Sequence, residues 1–372
     1  MNKIENKQRL LGIDLCRGIA AFAVVVVHSG DETWGIPVTN GALHFRLFFY
    51  FAVPFFLATS FFFIIRNLSE NIDLHFLRIK LQRIFIPYCV WSILYIFFGT
   101  IFSFIANQPD RFNQLFKDPL STIFFGGASY HLYFLPLLLS GISLILLLKY
   151  LLKHKFKIPI MVGISIISMI INRVISLSGN SFQLNPNTAF SGLLSLLDAN
   201  SIYYSLARFL FVQISWILIC LPYFCIAVIL NHLLLKNESF VFKKSKFLFF
   251  LFLSIFIYVN TFREIFILPE LSNIIIAFSL LFIGICLSNY LQESKIIKSL
   301  GNCSFGIYLI HPIIKKITGI ILTFAAPQIT SQITVTSMLC LSMPSFLMSW
   351  LVINLLMNNK HLAQYMFGIR VN

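Results

Sequence analysis

The segment "CRGIAAFAVVVVHSG", residues 16–30, has an arginine and a histidine at the two ends of an apolar run. Apolar runs of this kind are typical of segments that cross a lipid bilayer, where ionisable side chains are costly. An ionisable residue that is kept inside such a run therefore marks a candidate functional position. Arg17 and His28 are the first such candidates in this chain.

The composition of the whole chain indicates an integral membrane protein. Of its 372 residues, 58% are hydrophobic and only 11% are charged, whereas soluble domains average about 25% charged residues. The net charge of +15 does not indicate a nucleic-acid partner, because the lysines and arginines cluster in short segments between apolar runs. The seven cysteines form no C-x-x-C pair, so we expect them to be packing residues and expect no metal site.

Ten apolar runs are candidate membrane spans, each of which needs about 20 residues. Basic residues outside the runs fall mostly on one side of the predicted membrane, which places both termini in the cytoplasm. The sequence therefore predicts an all-α bundle of about ten transmembrane helices, forming a single membrane-embedded domain over residues 1–372. The predicted spans are residues 12–28, 46–65, 84–106, 131–148, 158–177, 208–230, 247–260, 271–289, 303–324 and 335–357.

Arg17 and His28 share one face of the predicted first helix. Eleven positions separate them, which at about 100° per residue is three turns plus about 20°, or about 16 Å along the axis. The alternative is that Arg17 only reaches out to the membrane interface and that His28 only ends the helix. The presence of both residues on one face, with Asp14 a turn before Arg17, favours a functional interpretation.

Four segments of the chain form an ordered pattern. They are "IDLCRGIAAFAVVVVH" (13–28), "FLRIKLQRIFIPY" (76–88), "YHLYFLPLLL" (130–139) and "LGNCSFGIYLIHP" (300–312). In this order they resemble the acyltransferase-3 family of membrane acyltransferases, although Tyr133 stands where tryptophan is common and Lys80 where arginine is usual. The resemblance implies a ten-helix enzyme that moves acyl groups, most often acetyl from acetyl-CoA, onto hydroxyls of sugars or related acceptors.

The residue types suit this chemistry. Acyl transfer to a hydroxyl needs a base for the alcohol proton, and histidine titrates in the useful range. We expect His28 to be this base, with Arg17 orienting the donor or stabilising the charge that develops. Arg78, Lys80 and Arg83, which we place in a loop before the third span, are expected to hold the phosphates of acyl-CoA. The alternative for this cluster is a purely topological role.

Further polar residues within the predicted spans are candidates to line a substrate cavity. Their alternative roles are helix caps and hydrogen bonds between helices. The candidates are Asp14, His131, Tyr133, Ser304, Tyr308 and His311.

Two groups of basic residues need a separate explanation. Lys315 and Lys316 fall deep in the ninth run, so either they face a water-filled cavity or the helix boundary is misplaced, and we favour the second explanation. Four arginines at predicted outer helix ends are expected to be interface anchors: Arg46, Arg173, Arg208 and Arg263.

Taken together, the residues and the resemblance predict a multi-pass O-acyltransferase of the cytoplasmic (inner) membrane. It would use acetyl-CoA or another acyl-CoA as co-substrate, bind no cofactor permanently, and acylate a hydroxyl of a surface or exported glycan. One alternative is a transporter that uses buried arginine and histidine, for which paired repeats would be typical. Another is a non-catalytic assembly factor, which would not need buried charges.

Overall fold

The computed structural model consists of helices throughout the part of the chain that it describes, apart from one isolated bridge between Val38 and Ile333. Among the described residues, eight helices are long and apolar enough to cross a membrane, and two shorter apolar helices accompany them. The all-α integral membrane bundle is therefore confirmed, while the cytoplasmic placement of both termini stays a prediction. The described residues are 9–30, 37–67, 74–105, 118–146, 158–179, 181, 189–198, 201–263 and 269–369.

The helices are numbered here in chain order. A 3-10 turn, Phe49–Phe51, joins α2 to α3, so the second apolar run is helical from Asn40 to Arg66. The bounds are α1 Leu11–Ser29, α2 Asn40–Phe48, α3 Ala52–Arg66, α4 Leu74–Ile105, α5 Pro119–Phe124, α6 Phe134–Ile142, α7 Ile158–Ser176, α8 Ser191–Leu194, α9 Ile202–Lys236, α10 Glu238–Lys243, α11 Ser245–Thr261, α12 Pro269–Leu287, α13 Lys295–Ala325, α14 Pro327–Thr330, α15 Val335–Leu356 and α16 Lys360–Phe367.

Four of the predicted spans start six to ten residues too late because the helix begins before the apolar run, at α2, α4, α9 and α13, and the differences are largest at α4 and α13. α4 begins at Leu74 rather than at residue 84, and α13 begins at Lys295 rather than at residue 303. The added turns are too polar for a hydropathy search, but leucine, lysine and arginine favour helix. At α13 the side chain of Ser294 caps the first turn by accepting a hydrogen bond from the Ile297 amide. Hydropathy located the apolar part of each helix and missed its polar start.

The fourth predicted span starts too early rather than too late. The predicted span starts at residue 131, whereas α6 begins at Phe134 and His131 lies in the turns before it. Gly126 in the same turn region has a φ of +78°, a left-handed conformation that glycine tolerates best. A Cβ at Gly126 would lie 2.5 Å from the Tyr133 amide nitrogen, so the chain doubles back tightly there.

The helices pack in two units, and the first contains residues 1–59 and 233–355. Within it α1 packs against α12 and α13 at small residues, which allow backbones to approach closely. Gly12 lies against the Gly284 carbonyl, and Gly301 lies against the Asp14 side chain. α11 packs against α12, where the rings of Phe252 and Phe282 stack at 4.3 Å.

The second unit contains residues 60–232 and 356–372. Within it α4 packs against α6 and against the carboxyl-terminal helix α16. The indole of Trp91 on α4 donates to the Met366 carbonyl at 2.9 Å. Gly368 ends α16 with a φ of +63° and lies directly against the Arg83 carbonyl. The carboxyl-terminal helix therefore packs on the polar first half of α4.

Candidate active site

One helix carries both residues of the opening segment. α1 runs unbroken from Leu11 to Ser29, so Arg17 and His28 do lie on the same helix as predicted. Its alanines, valines and glycines are mostly buried against neighbouring helices. The position of α1 fixes the positions of the two ionisable residues, and α12 and α13 pack around them.

The arginine end of α1 is an ionic network. Asp14 Oδ1 lies 3.8 Å from an Arg17 guanidinium nitrogen, and Asp14 Oδ2 accepts a hydrogen bond from Arg9 Nε at 2.5 Å. Arg9 also donates to the Asn302 side chain on α13 at 2.7 Å. The Asp14 side chain is 7% exposed and that of Arg17 is 27% exposed, so the carboxylate is enclosed and the arginine is half-buried.

The histidine end of α1 meets α13. The rings of His28 and His311 stack with their centroids 5.4 Å apart and their planes at 28°. The Lys315 ammonium donates to the backbone carbonyl of His28 at 2.6 Å. His311 is fully buried and Lys315 is nearly so, and both lie in the middle of a candidate membrane span. The structure thus brings His28 and His311 together.

Lys315 lies inside α13 and contacts His28, a partner that the sequence did not indicate. The explanation favoured from the sequence, a misplaced boundary that would take Lys315 out of the helix interior, is wrong: α13 begins earlier than predicted, at Lys295, and keeps Lys315 inside it. The signal that could have found it is its spacing: Lys315 follows His311 by one helical turn, so the two share a face. Lys316, the next residue, is exposed.

Ser304 and Tyr308 lie on the same helix with different surroundings. The Ser304 hydroxyl donates to the Gly301 carbonyl at 2.9 Å, which is a bond within its own helix. Tyr308 is buried, and its ring lies 6.1 Å from that of His311. Tyr308 therefore belongs to the histidine end of α1, whereas the observed contact of Ser304 is local.

The three basic residues predicted to bind phosphate lie on a helix rather than in a loop. Arg78, Lys80 and Arg83 occupy the early turns of α4, because that helix starts before the apolar run. Arg78 and Arg83 are exposed, and the ammonium of Lys80 lies over the Phe76 ring at 5.3 Å. Such a cation–π contact supports a lysine in a partly apolar setting.

His131 and Tyr133 lie in the turns that precede α6. His131 is 1% exposed, its Nδ1 lies 3.1 Å from the Ser129 hydroxyl, and its ring meets the edge of Tyr95 on α4. Tyr88, also on α4, holds this region by donating to the Ile123 carbonyl at 2.7 Å. His131 is therefore a buried residue within the second unit, and its assignment to a substrate cavity stays a prediction.

The prediction that Arg208 anchors a helix end at the interface is wrong. Arg208 lies inside α9, its side chain is 8% exposed, and it pairs with Asp118 at 2.5 Å. Its guanidinium also lies over the Phe125 ring at 5.7 Å. Asp118 precedes α5 and was not singled out, because a contact across 90 positions leaves no local pattern. This pair ties α9 to the start of α5.

The bundle of apolar helices, with ionisable residues held inside it, defines a multi-pass membrane protein. Residues 10–354 match the family model described as an acyltransferase domain, so the chain belongs to the acyltransferase-3 family. A 133-residue stretch is 29% identical to a protein named amino-acid racemase from Enterococcus faecalis, covering 36% of this chain and 18% of that relative. This overlap is too short to carry an activity over. No solved structure matches the chain.

Proposed function

We propose that the protein moves an acetyl group from cytoplasmic acetyl-CoA to a hydroxyl of a surface or exported glycan, in the cytoplasmic membrane. The observation that carries the proposal is the match of residues 10–354 to a family of acyltransferases, combined with a histidine in the last turn of α1. The glycan acceptor and the acetyl group rest on the resemblance of the four sequence segments. Acetyl-CoA acts as a co-substrate and leaves as free CoA.

His28 is the general base in this proposal. An imidazole nitrogen takes the proton of the acceptor hydroxyl while the oxygen attacks the thioester carbonyl carbon. The tetrahedral intermediate then breaks its carbon–sulfur bond, and the leaving thiolate takes the proton back from the imidazolium. One ester and one free CoA thiol are formed, and His28 returns to its neutral state. The contact with His311 supports a fixed ring position for this step.

Arg17 has an electrostatic role in this proposal. The Arg17 side chain as a whole is 27% exposed, and Asp14 contacts its guanidinium from one side, so the group is oriented. A fixed arginine can orient an anionic group of the donor, whereas the oxyanion forms beside His28, about 16 Å away along the helix axis. Asp14 is then a residue that holds Arg17 rather than one that contacts the substrate.

Arg78, Lys80 and Arg83 bind the phosphates of the donor in this proposal. Two exposed guanidinium groups and one ammonium group on adjacent turns of α4 provide both bidentate and point-charge contacts. Their cytoplasmic location stays a prediction from the distribution of charge. Within the first unit Ser304, Tyr308 and His311 are proposed to line a substrate cavity, and within the second unit His131 and Tyr133 are proposed to do so.

The test is transfer of label in membranes. Membranes from cells that make the protein are given acetyl-CoA labelled in the acetyl group, and label is expected in the glycan fraction together with free CoA. Membranes that carry His28→Ala serve as the negative control. Uptake of an unmodified solute without CoA release would favour a transporter. Glycans of equal mass from cells with and without the protein would contradict transfer. Succinyl-CoA in the same assay tests the choice of acyl group.

A further inference from the structure

We propose that Lys315 is a positioning residue, which holds the last turn of α1 so that the His28 ring keeps one orientation against His311. This inference rests on the proposed role of His28 as the base. Lys315 contacts the backbone of His28, so it would act through His28 and not on the substrate.

The carboxyl-terminal end of α1 requires donors from elsewhere. The last carbonyls of a helix lack donors within the helix. The backbone amides of a turn closed by a left-handed glycine often donate to them. Gly30 follows α1 with a φ of −103°, so α1 does not end with a left-handed residue. Two cations donate instead: Lys315 to the His28 carbonyl at 2.6 Å and Arg46 to the Gly30 carbonyl at 2.9 Å. Positive charge is also favoured at this end of the helix dipole.

One face of α13 contacts residue 28 at two points. Lys315 and His311 are four positions apart, so their side chains lie one above the other on the same face. The Lys315 ammonium donates to the His28 carbonyl, and the His311 ring stacks on the His28 ring. The contact on the ring restricts the side-chain torsions of His28, and the contact on the backbone holds the helical turn from which that side chain extends.

The ring of His311 is itself fixed by the sequence around it. Proline has no amide hydrogen, so Pro312 cannot donate to the Tyr308 carbonyl four positions earlier, as other residues of α13 would. His311 Nδ1 lies 2.7 Å from this carbonyl and must be the donor, because a carbonyl only accepts. Pro312 therefore leaves the Tyr308 carbonyl without its usual amide donor, and His311 donates to this carbonyl instead. This hydrogen bond fixes the plane of the His311 ring, on which the His28 ring stacks.

A purely structural cap is the alternative role for Lys315. A lysine inside a membrane helix is costly, and a helix end can be satisfied without a charge. Both roles predict some loss of stability when Lys315 is removed. Only the positioning role predicts a loss of turnover per folded molecule, because only then does the orientation of His28 depend on the lysine.

The experiment compares Lys315→Met with Lys316→Met in full-length protein in membranes. The two changes remove the same charge from adjacent positions, one buried and one exposed. Folded protein is counted by detergent-resistant fluorescence of a carboxyl-terminal fusion, and turnover is measured with labelled acetyl-CoA. We expect Lys315→Met to lower kcat per folded molecule by about 10- to 100-fold, since small misplacements of a reacting group have effects of this order. KM for acetyl-CoA and the Lys316→Met variant should stay near wild type.

Two further variants separate the possible results. Lys315→Arg can still donate to the His28 carbonyl and should recover part of kcat. If only the positive charge at position 315 mattered, Lys315→Arg would recover kcat fully. Lys315→Met should cause no further loss in a His28→Ala background. Normal kcat in Lys315→Met with an inactive His28→Ala would overturn the positioning role alone. Full activity of His28→Ala would overturn the base assignment and the positioning role with it.

Discussion

The two ends of α1 hold their ionisable side chains by different means. At the Arg17 end the partners are charged side chains, with Asp14 between Arg17 and Arg9. At the His28 end the partners are a ring face and a cation that contacts the backbone, and neither of these two contacts involves a ring nitrogen of His28. The contacts described at the first end are ion pairs, and those described at the second fix the backbone and the ring plane of His28.

This difference matches the role that each side chain has in the proposed reaction. An arginine keeps its charge throughout, so a nearby carboxylate is compatible with every step. A base changes its charge twice in each cycle, so contacts that fix orientation without depending on one charge state suit it better. Substitutions at the two ends should therefore fail in different ways, with the largest effects at His28.

His28→Ala is expected to cause the largest loss. Removing a general base typically lowers turnover by about 10²- to 10⁴-fold, and the label assay measures this directly. His28→Gln should not rescue activity, because the amide keeps hydrogen bonds but cannot accept the proton. His44→Ala, which changes an exposed histidine on α2 of the same unit, is the matched control. A fully active His28→Ala protein would leave position 28 with a packing role only.

The double variant Lys80→Ala with Arg83→Ala should produce the next largest effect, of a different kind. Each lost charge-assisted phosphate contact costs about 1.5–3 kcal/mol, which predicts a rise in KM for acetyl-CoA of tenfold or more. Because neither end of α1 is altered, kcat at saturating donor should change little. Lys243→Ala with Lys244→Ala removes the same charge from two exposed residues and controls for topology. An unchanged KM would show that the basic turns of α4 only orient the chain.

Much of the fold and one end of the site could be predicted from the sequence, for identifiable physical reasons. Membrane-crossing runs are local in sequence, and the period of the helix places Arg17, His28 and Asp14 on one side of α1. The partners of His28 could not be predicted in this way, because Lys315 lies 287 positions away along the chain. The polar starts of α4 and α13 were missed because hydropathy reports lipid exposure and not helix formation.

Arg17→Lys tests whether the first end of α1 depends on charge alone. Lysine keeps the positive charge but loses the planar fork, so we expect a loss of about tenfold in kcat/KM. KM for acetyl-CoA and kcat should be measured separately, since a binding role raises KM and an oxyanion role lowers kcat. Wild-type kinetics in Arg17→Lys would mean that a point charge is sufficient at this position.

Gly301→Ala should have the smallest effect on turnover and still identifies how Arg17 is held. A Cβ at Gly301 would overlap the Asp14 carboxylate, so the carboxylate must move and its 3.8 Å contact with Arg17 must change. Because partly exposed ion pairs contribute about 0.2–1 kcal/mol, we expect only a two- to fivefold loss, and the same loss in Asp14→Asn. Gly163→Ala is the matched control, since nothing lies within 4 Å of a Cβ there. If Gly301→Ala lowered turnover as strongly as His28→Ala, the arginine end would also depend on exact position, and the contrast between the two ends of α1 would be lost.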